Sequence, residues 1–545
     1  MCGLVCVTVY AQFFSLFAGV GMLANVILCF FCLFTVLADQ KGIVAAVRRF
    51  FPAGKRAENG GGATGAGQIG WPGFCAAAVL FLLFAYGASR GMIHYDTGLY
   101  HAQSIRWIEE YGVVKGLGNL HCRLAYNSSS FALSALYSMA FLGGQSYHCT
   151  AGWLAFLLAA VCLPIGKTLR TGRFWASGLA RVMCVYYLVN IFDEMISPAS
   201  DYFMVLVAFY IVIKWLDLVE IGEEAVLPYG LLCVLGVFLM TVKLSAALIL
   251  LLTVYPACRL LRERRWKETG VYLGLGLLTA VPFFIRNVLI SGWLVYPFTQ
   301  IDLFDVVWKI PKGLADYDAR EIQVWGRGYT DVTQFDMPVR EWLPGWLRTL
   351  AGSDKLLVTA AAAAVAVFLL EAVYLAWRRG SVVFPAFLTV QATVSASFVF
   401  WLCTSPLIRY GCVWVYLTAA VVFGGILDMV LHPATGGGRR GEKAQGGRGW
   451  RLAAGRVVSA FVILILVYKG FALAWETIGA YVNDYWLVQK DYENYETYTY
   501  RIEDVIFYCP VEGDRVGYEA FPSSPSEARI AFLGEEMAEG FRAVE

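Results

Sequence analysis

The chain has 545 residues, of which 59% are hydrophobic, 15% aromatic and only 15% charged, with a formal net charge of +2. A soluble globular protein carries about 25% charged residues, so the composition excludes an ordinary soluble domain and points to a polytopic membrane protein. Basic residues lie in short clusters between apolar runs, which excludes a nucleic-acid-binding surface.

Twelve apolar segments have the character of crossings, near 4–36, 71–89, 150–166, 178–192, 199–217, 227–242, 244–260, 269–287, 355–377, 381–403, 407–431 and 455–476. The first suits one tilted helix or a tight hairpin, and the sequence leaves both open. It is too long and too apolar for a cleavable signal peptide, and no basic stretch precedes it.

Orientation follows from Lys and Arg in short loops. Lys41, Arg48, Arg49, Lys55 and Arg56 lie in 37–70, and "CRLLRERRWKE", "WRRG" and the Gly-rich 432–454 are also basic. All are expected on the cytoplasmic side. The twelve-residue "FALSALYSMAFL" at 131–142 is too short to cross, and a crossing there would put the later basic clusters outside. It is expected to be an interfacial or re-entrant helix. The region 90–149 then forms one large outer loop. A second outer loop, 288–354, holds nine acids against six bases, and the tail 477–545 holds fourteen against five. The tail reads as ordered, with a role the sequence does not show.

Most of the fourteen cysteines lie in apolar runs and act as small hydrophobes. Cys122, Cys149 and Cys509 lie in aqueous segments. Free thiols are expected, with a Cys122–Cys149 bridge as the alternative.

The first outer loop opens "HYDTGLYHAQSIRWIEEYG". Asp-Thr-Gly before apolar residues at helical spacing reads as a helix start, with Gly112 as its end. Asp96 or Thr97 is the N-cap of that helix; Asp96 is either only that cap or an anion at the membrane surface, near a pocket, held by amide donors, and this loop alone leaves both open. His94 and Asp96 face the same way if the chain is extended, and His101 reads as interfacial. No metal-ligand spacing links the three, so no metal or other cofactor is expected. The next stretch carries Asn119, His121, Arg123, Asn127 and three serines, a density that suggests a loop folded against a site.

Four further features point to the same face: Asp201 near a span boundary, and Lys243, Arg286 and Arg409, each nearly alone among apolar residues, the last followed by Tyr410. A charge inside an apolar span costs at least about 2.5 kcal/mol and normally lines a cavity. Snorkelling explains one such cation but explains three on one face, opposite Asp96, less well. Guanidinium and ammonium groups at the hydrocarbon edge suit a lipid-linked phosphate, and a carboxylate beside them suits proton abstraction from a hydroxyl.

With these residues the chain resembles the GT-C glycosyltransferases, polytopic enzymes that use polyprenyl-phosphate- or diphosphate-linked sugars. "HYDTGLYH" resembles the loop motif of their bacterial members, "RNVLISGWLVYPF" resembles a segment following their Arg-Asn pair, and "SPLIRYG" resembles a late-span motif. The first-loop run is also similar to a group of bacterial envelope proteins of uncharacterised activity, and the likeness covers most of residues 70–430. The resemblance implies an all-α GT-C-like bundle of about 12 transmembrane helices, with interfacial helices in its first outer loop. It divides the chain into 1–70, a core at 71–431, the cytoplasmic loop 432–454, a last span at 455–476 and the extracytoplasmic tail 477–545.

The activity implied is inverting transfer of a sugar from the lipid carrier to an envelope glycan, lipid or protein, at the outer face of a bacterial cytoplasmic membrane. Asp96 would be the general base. Lys243, Arg286 and Arg409 would bind the donor phosphate, and His94, His101, Asn119, Arg123, Asp201 and Tyr410 would shape the substrate subsites. Two alternatives stand: a transporter or flippase of lipid-linked glycans, and an envelope polysaccharide polymerase or ligase.

Overall fold

The computed structural model describes residues 1–50, 71–89, 93–142, 150–172, 174–379, 385–431, 445–481 and 493–544. Cys149, and with it a Cys122–Cys149 bridge, lies outside the described residues, as do Lys55, Arg56 and residues 432–444. Among the described residues, eight helices are long and apolar enough to cross a membrane: Thr150–Thr171, Ser200–Glu220, Leu244–Arg262, Trp266–Ser291, Gly352–Tyr374, Ala386–Thr404, Ile408–Leu431 and Ala453–Trp475. This is the make-up of a multi-pass membrane protein, with eight full-length helices in place of the twelve expected crossings.

The difference lies in length. The segment 4–36 splits into helices Cys2–Phe14 and Met22–Ala38. Helices Gly73–Gly87 and Val226–Val242 are apolar but short, and Ala176–Asn190 has only 15 residues.

Helix Ser200–Glu220 is the axis of the bundle. It is 72% buried over its most apolar window, against 11% for Ala453–Trp475 and 17% for Gly352–Tyr374. Around it pack Thr150–Cys162, Ala176–Asn190, Val226–Val242 and Ile408–Leu431. Trp215 lies wholly inside and donates its indole N–H to Ala386 O at 2.8 Å, so the one polar atom of that ring is satisfied. The outer helices leave Leu273, Leu277, Leu370 and Leu464 exposed, an arrangement that is stable when lipid is the solvent for that face.

Consecutive helices alternate in direction, so one end of the bundle collects Asp201 from a helix start, Lys243 from a turn, and Arg409 from another helix start. The short stretch 131–142, expected to be interfacial or re-entrant, forms most of helix Ser129–Tyr137, which is buried along its length except for Tyr137. The three serines explain this. Ser128 caps the helix through Ser130 N and also donates to Val242 O at 2.7 Å, while Thr241 donates to Ser129 at 3.0 Å.

The all-α expectation fails in the tail. Residues 497–543 form two antiparallel hairpins, β1 (Thr497–Ile502) with β2 (Val505–Pro510) and β3 (Ile530–Phe532) with β4 (Phe541–Ala543). Their inward residues Phe507, Phe532 and Phe541 join Trp107, Leu117, Leu120, Trp293 and Ile310 in one core. Backbone bonds complete the docking: Val516 N and Gly517 N both donate to Gly98 O at 2.9 Å, and Phe541 N donates to Lys115 O at 2.9 Å. Gly98 is required there, because a Cβ would come within 2.9 Å of the Tyr495 hydroxyl.

Phe541 has no exposed surface and its ring lies 5.8 Å from Trp107 and 5.7 Å from Phe532. Phe541→Ala should therefore cost about 3–5 kcal/mol. Limited proteolysis of the purified chain should show the tail cleaved much faster in the variant, whereas an unchanged cleavage rate would mean the tail is held by other contacts.

Candidate active site

The loop that carries Asp96 is pinned near its start, where His94 N donates to Ser197 Oγ at 2.6 Å. The chain then enters a π-helical turn, Thr97–His101, which runs into the helix Ala102–Glu110. Single π-turns cluster at functional sites because they re-aim side chains out of helical register. Gly112, with φ of +77°, follows the helix end where the sequence placed it.

Asp96 precedes the π-turn, and its side chain makes no capping bond to the helix. Its carboxylate turns instead to Arg409, whose Nη2 donates to Asp96 Oδ2 at 2.8 Å. The side chain is thus neither the helix cap nor an anion held by amides; a guanidinium holds it.

Arg409 belongs to the first turn of Ile408–Leu431, which is set off from the rest of that helix by a kink at Gly411. Glycine is needed at the kink because a Cβ would lie 2.2 Å from the Trp401 ring. The kink aims Arg409 and Tyr410 at the loop. Arg409 Nη1 lies 2.6 Å from His94 Nε2, and Nη2 also reaches Tyr410 OH at 3.3 Å. Arg409 Nε is buried and has no partner among the described residues.

Both ring nitrogens of His94 face donors: Arg409 Nη1 lies against Nε2, and the Asp96 amide donates to Nδ1 at 3.1 Å. An imidazolium donates from both nitrogens, so these contacts disfavour the charged ring. Burial holds the His94 imidazole below its ordinary value, opposed by the Asp96 charge and reinforced by Arg409. A neutral ring follows.

A second pair lies beside the first. Lys243 Nζ donates to Asp201 Oδ1 and sits 4.2 Å from the centre of the Tyr410 ring. Tyr410 thus touches both cations. His101 is buried rather than interfacial, bonded to Thr97 Oγ1 at 3.2 Å and packed on the rings of His94, Tyr100 and Phe131. The structure therefore brings together Asp96, His94, His101, Lys243, Asp201, Arg409 and Tyr410.

Three expected members stand apart. Arg286 is buried behind Phe131, with Asn127 Oδ1 and Ser15 Oγ as its partners. Asn119 donates to Trp308 O at 2.9 Å and so ties the first loop to the second. Arg123 serves a network the sequence did not reveal, centred on Asp318. That carboxylate, 2% exposed, takes Arg123 at 2.9 Å, Tyr296 OH at 3.0 Å, Tyr126 OH and the Cys122 thiol at 3.5 Å. Burial is the largest single influence on the Arg123 pKa and lowers it, but Asp318, Tyr126, Cys122 and Glu321 together outweigh it and hold the guanidinium above its usual range. Burial, then the charge of Asp318, pushes the Cys122 thiol up to about 12. Asp318 was detectable in principle, as an acid three residues after Ala315 on the inward stripe of helix Lys312–Gly326. Ser197, which anchors His94, carried no such signal.

An open cleft of about 320 Å3 has Arg409 among its lining residues. Its walls are largely apolar, from Trp325, Trp346, Leu350, Leu407 and Ile408, with Asp354 as its carboxylate. Arg409 thus belongs both to a largely apolar cleft and to the pair with Asp96. No group of three or more His, Cys, Asp or Glu side chains suited to a metal ion occurs among the described residues.

Burial lowers the pKa of His94, of His101 and of His121, the last to about 3. An unfolded chain protonates such rings near pH 6.5. Between about pH 6.5 and 3 the unfolded state therefore binds more protons, and stability falls as pH falls through that window. Thermal unfolding measured across it should show a shallower pH slope for His121→Gln than for the natural chain. Equal slopes would mean that His121 is not held neutral.

No curated protein matches the chain. A family model described as "Domain of unknown function (DUF8201)" matches residues 1–416. The match takes in every residue of the Asp96–Arg409 cluster and stops before the β-hairpins, and it covers well over half of the sequence: the chain belongs to the DUF8201 family.

Proposed function

We propose that the protein is an inverting, GT-C-like membrane glycosyltransferase that moves a sugar from a polyprenyl-phosphate- or diphosphate-linked donor to an envelope glycan, lipid or protein. The observation that carries the proposal is a largely apolar cleft that Arg409 helps to line, with the same guanidinium paired to Asp96 at 2.8 Å. A largely apolar cleft with a cation in its lining suits an amphiphile with an anionic head. The unpartnered Arg409 Nε is one donor for that head, and Lys243, beside Tyr410, is a second cation within the cluster.

In this mechanism the lipid phosphate competes with Asp96 for Arg409. The exchange frees Asp96 Oδ2 to accept the proton of the acceptor hydroxyl. The acceptor oxygen bonds to the anomeric carbon as the bond from that carbon to the phosphate oxygen breaks, and the electron pair leaves with the phosphate. Arg409 and Lys243 stabilise the charge on the departing group, as charges already in place in a water-poor site. His94 orients Arg409 and Asp96 relative to each other. Arg286 is given no role in this step, because its partners are Asn127 and Ser15 rather than members of the Asp96–Arg409 cluster. The site would face outward at a bacterial cytoplasmic membrane, with the hairpins of the tail covering the first loop beside Asp96 and contributing to the choice of acceptor.

The test compares lipid-linked and surface glycans by mass spectrometry in a deletion strain carrying the natural chain or Asp96→Asn at equal membrane abundance. Loss of a general base costs about 10²–10⁴-fold, so the variant should accumulate donor lipid and lack one sugar unit. A glycan profile like that of the natural chain would remove the transferase and favour transport of a lipid-linked glycan by the same cations.

A further inference from the structure

The loop that follows helix Trp266–Ser291 is apolar where a loop in water is polar. Phe298, Ile301, Leu303, Phe304 and Val307 are all exposed, Leu303 at 66% and Val307 at 72%. Residues 301–310 contain no helix or strand. Large apolar side chains gathered on one exposed segment mark an interaction surface.

The base of this loop is fastened to the last turn of the helix it leaves. Ile310 N donates to Ser291 O at 2.9 Å, and the Trp308 indole donates to Val288 O at 3.0 Å. Trp293 closes the base by donating to Ile310 O at 3.1 Å. The chain is therefore back at the level of the helix end by Trp308, and tryptophan is the residue type enriched at a membrane–water boundary. The same helix carries an exposed stripe of Leu273, Leu277, Val281 and Ile285, spaced four apart. Val288 lies three residues beyond Ile285, on the same flank. The loop thus starts and returns where the lipid-facing stripe of the helix runs out. Irregular backbone needs water for its N–H and C=O groups, so the loop cannot enter the hydrocarbon. The headgroup level satisfies both the backbone and the apolar side chains. Lys309 holds the loop in shape, donating to Phe304 O at 2.8 Å and to Asp302.

We propose that residues 298–307 are a membrane-surface anchor, seated among lipid headgroups with Leu303 and Val307 turned toward the acyl boundary. Lipid is the partner because the patch continues a lipid-facing stripe. The only charges in the segment are Asp302 and Asp305, so the contact is apolar and is not an attraction to anionic lipid. Asn119 donates to Trp308 O, and Gly116 N donates to Leu289 O at 2.7 Å. The anchor would therefore set the height of the first loop, and of Asp96 with it, over the bilayer. The inference does not depend on the transferase proposal.

The test places p-benzoylphenylalanine at Leu303 or at Val307 of the full chain, in nanodiscs of phosphatidylcholine, and identifies the photoadducts by mass spectrometry. Both positions are exposed, so neither replacement disturbs a core. Leu273 is the lipid-facing reference, and Val511, exposed on the tail, is the reference away from the loop. Both loop positions should give phospholipid adducts at a yield comparable to Leu273, with almost none at Val511. Added phosphatidylglycerol should leave that yield unchanged. Adducts with a second copy of the chain in place of lipid, a lipid yield at either loop position no higher than at Val511, or a yield that grows with phosphatidylglycerol would overturn the proposal.

Discussion

The ion pair between Asp96 and Arg409 is the constraint around which this end of the molecule is arranged. It joins residues 313 positions apart, one on a loop and one at the start of a membrane-length helix. Each side needs a local irregularity to make the contact: a π-turn after Asp96 and a kink at Gly411. Regular helices would carry both side chains elsewhere. Asp96 is 16% exposed and Arg409 35%, so the pair sits at the edge of the bundle where an entering anion can reach it. A pair in that position can exchange partners, which a fully buried one cannot do without a large penalty.

The neighbouring pair, Lys243 with Asp201, repeats the same logic, with each cation balanced by an acid from another element. Tyr410 lies between the two pairs and couples them by cation–π contact. Arg123 and Asp318 form a third centre of opposite character. There the carboxylate is saturated by four donors and buried, so the network stabilises the loop scaffold and offers no open position to a ligand. The difference between a site and a staple in this protein is whether the charged group has access to solvent and to a cleft.

Much of the fold class was legible in the sequence, because long apolar runs can only be hidden in lipid or in each other. The chemistry of the first loop was legible for a related reason: lone charges at the ends of apolar runs, such as Lys243 and Arg409, have few tolerable places to go. The limits were physical as well. Arg286 looked equivalent to Arg409 in sequence, yet tertiary packing turned it toward Ser15 and Asn127. Asp318 looked like one acid among nine in its loop, and only the fold brings Arg123, Tyr126, Tyr296 and Cys122 to it. The hairpins at 497–543 were missed because their strands are short and their inward phenylalanines find a core in Trp107 and Trp293, far away in the chain. Eight of the apolar runs form helices of full membrane length and others form shorter apolar helices, because an apolar run fixes composition and does not fix where a helix breaks.

The central claim is that the Asp96–Arg409 pair opens to admit an anionic lipid head. The direct measurement is the affinity of the purified full chain for a polyprenyl phosphate, for the natural chain, Asp96→Asn and Arg409→Gln. The account predicts tighter binding to Asp96→Asn, because Arg409 is no longer shared, and loss of binding to Arg409→Gln. Equal affinity in all three would contradict it, since the pair would then be a staple like Arg123 with Asp318.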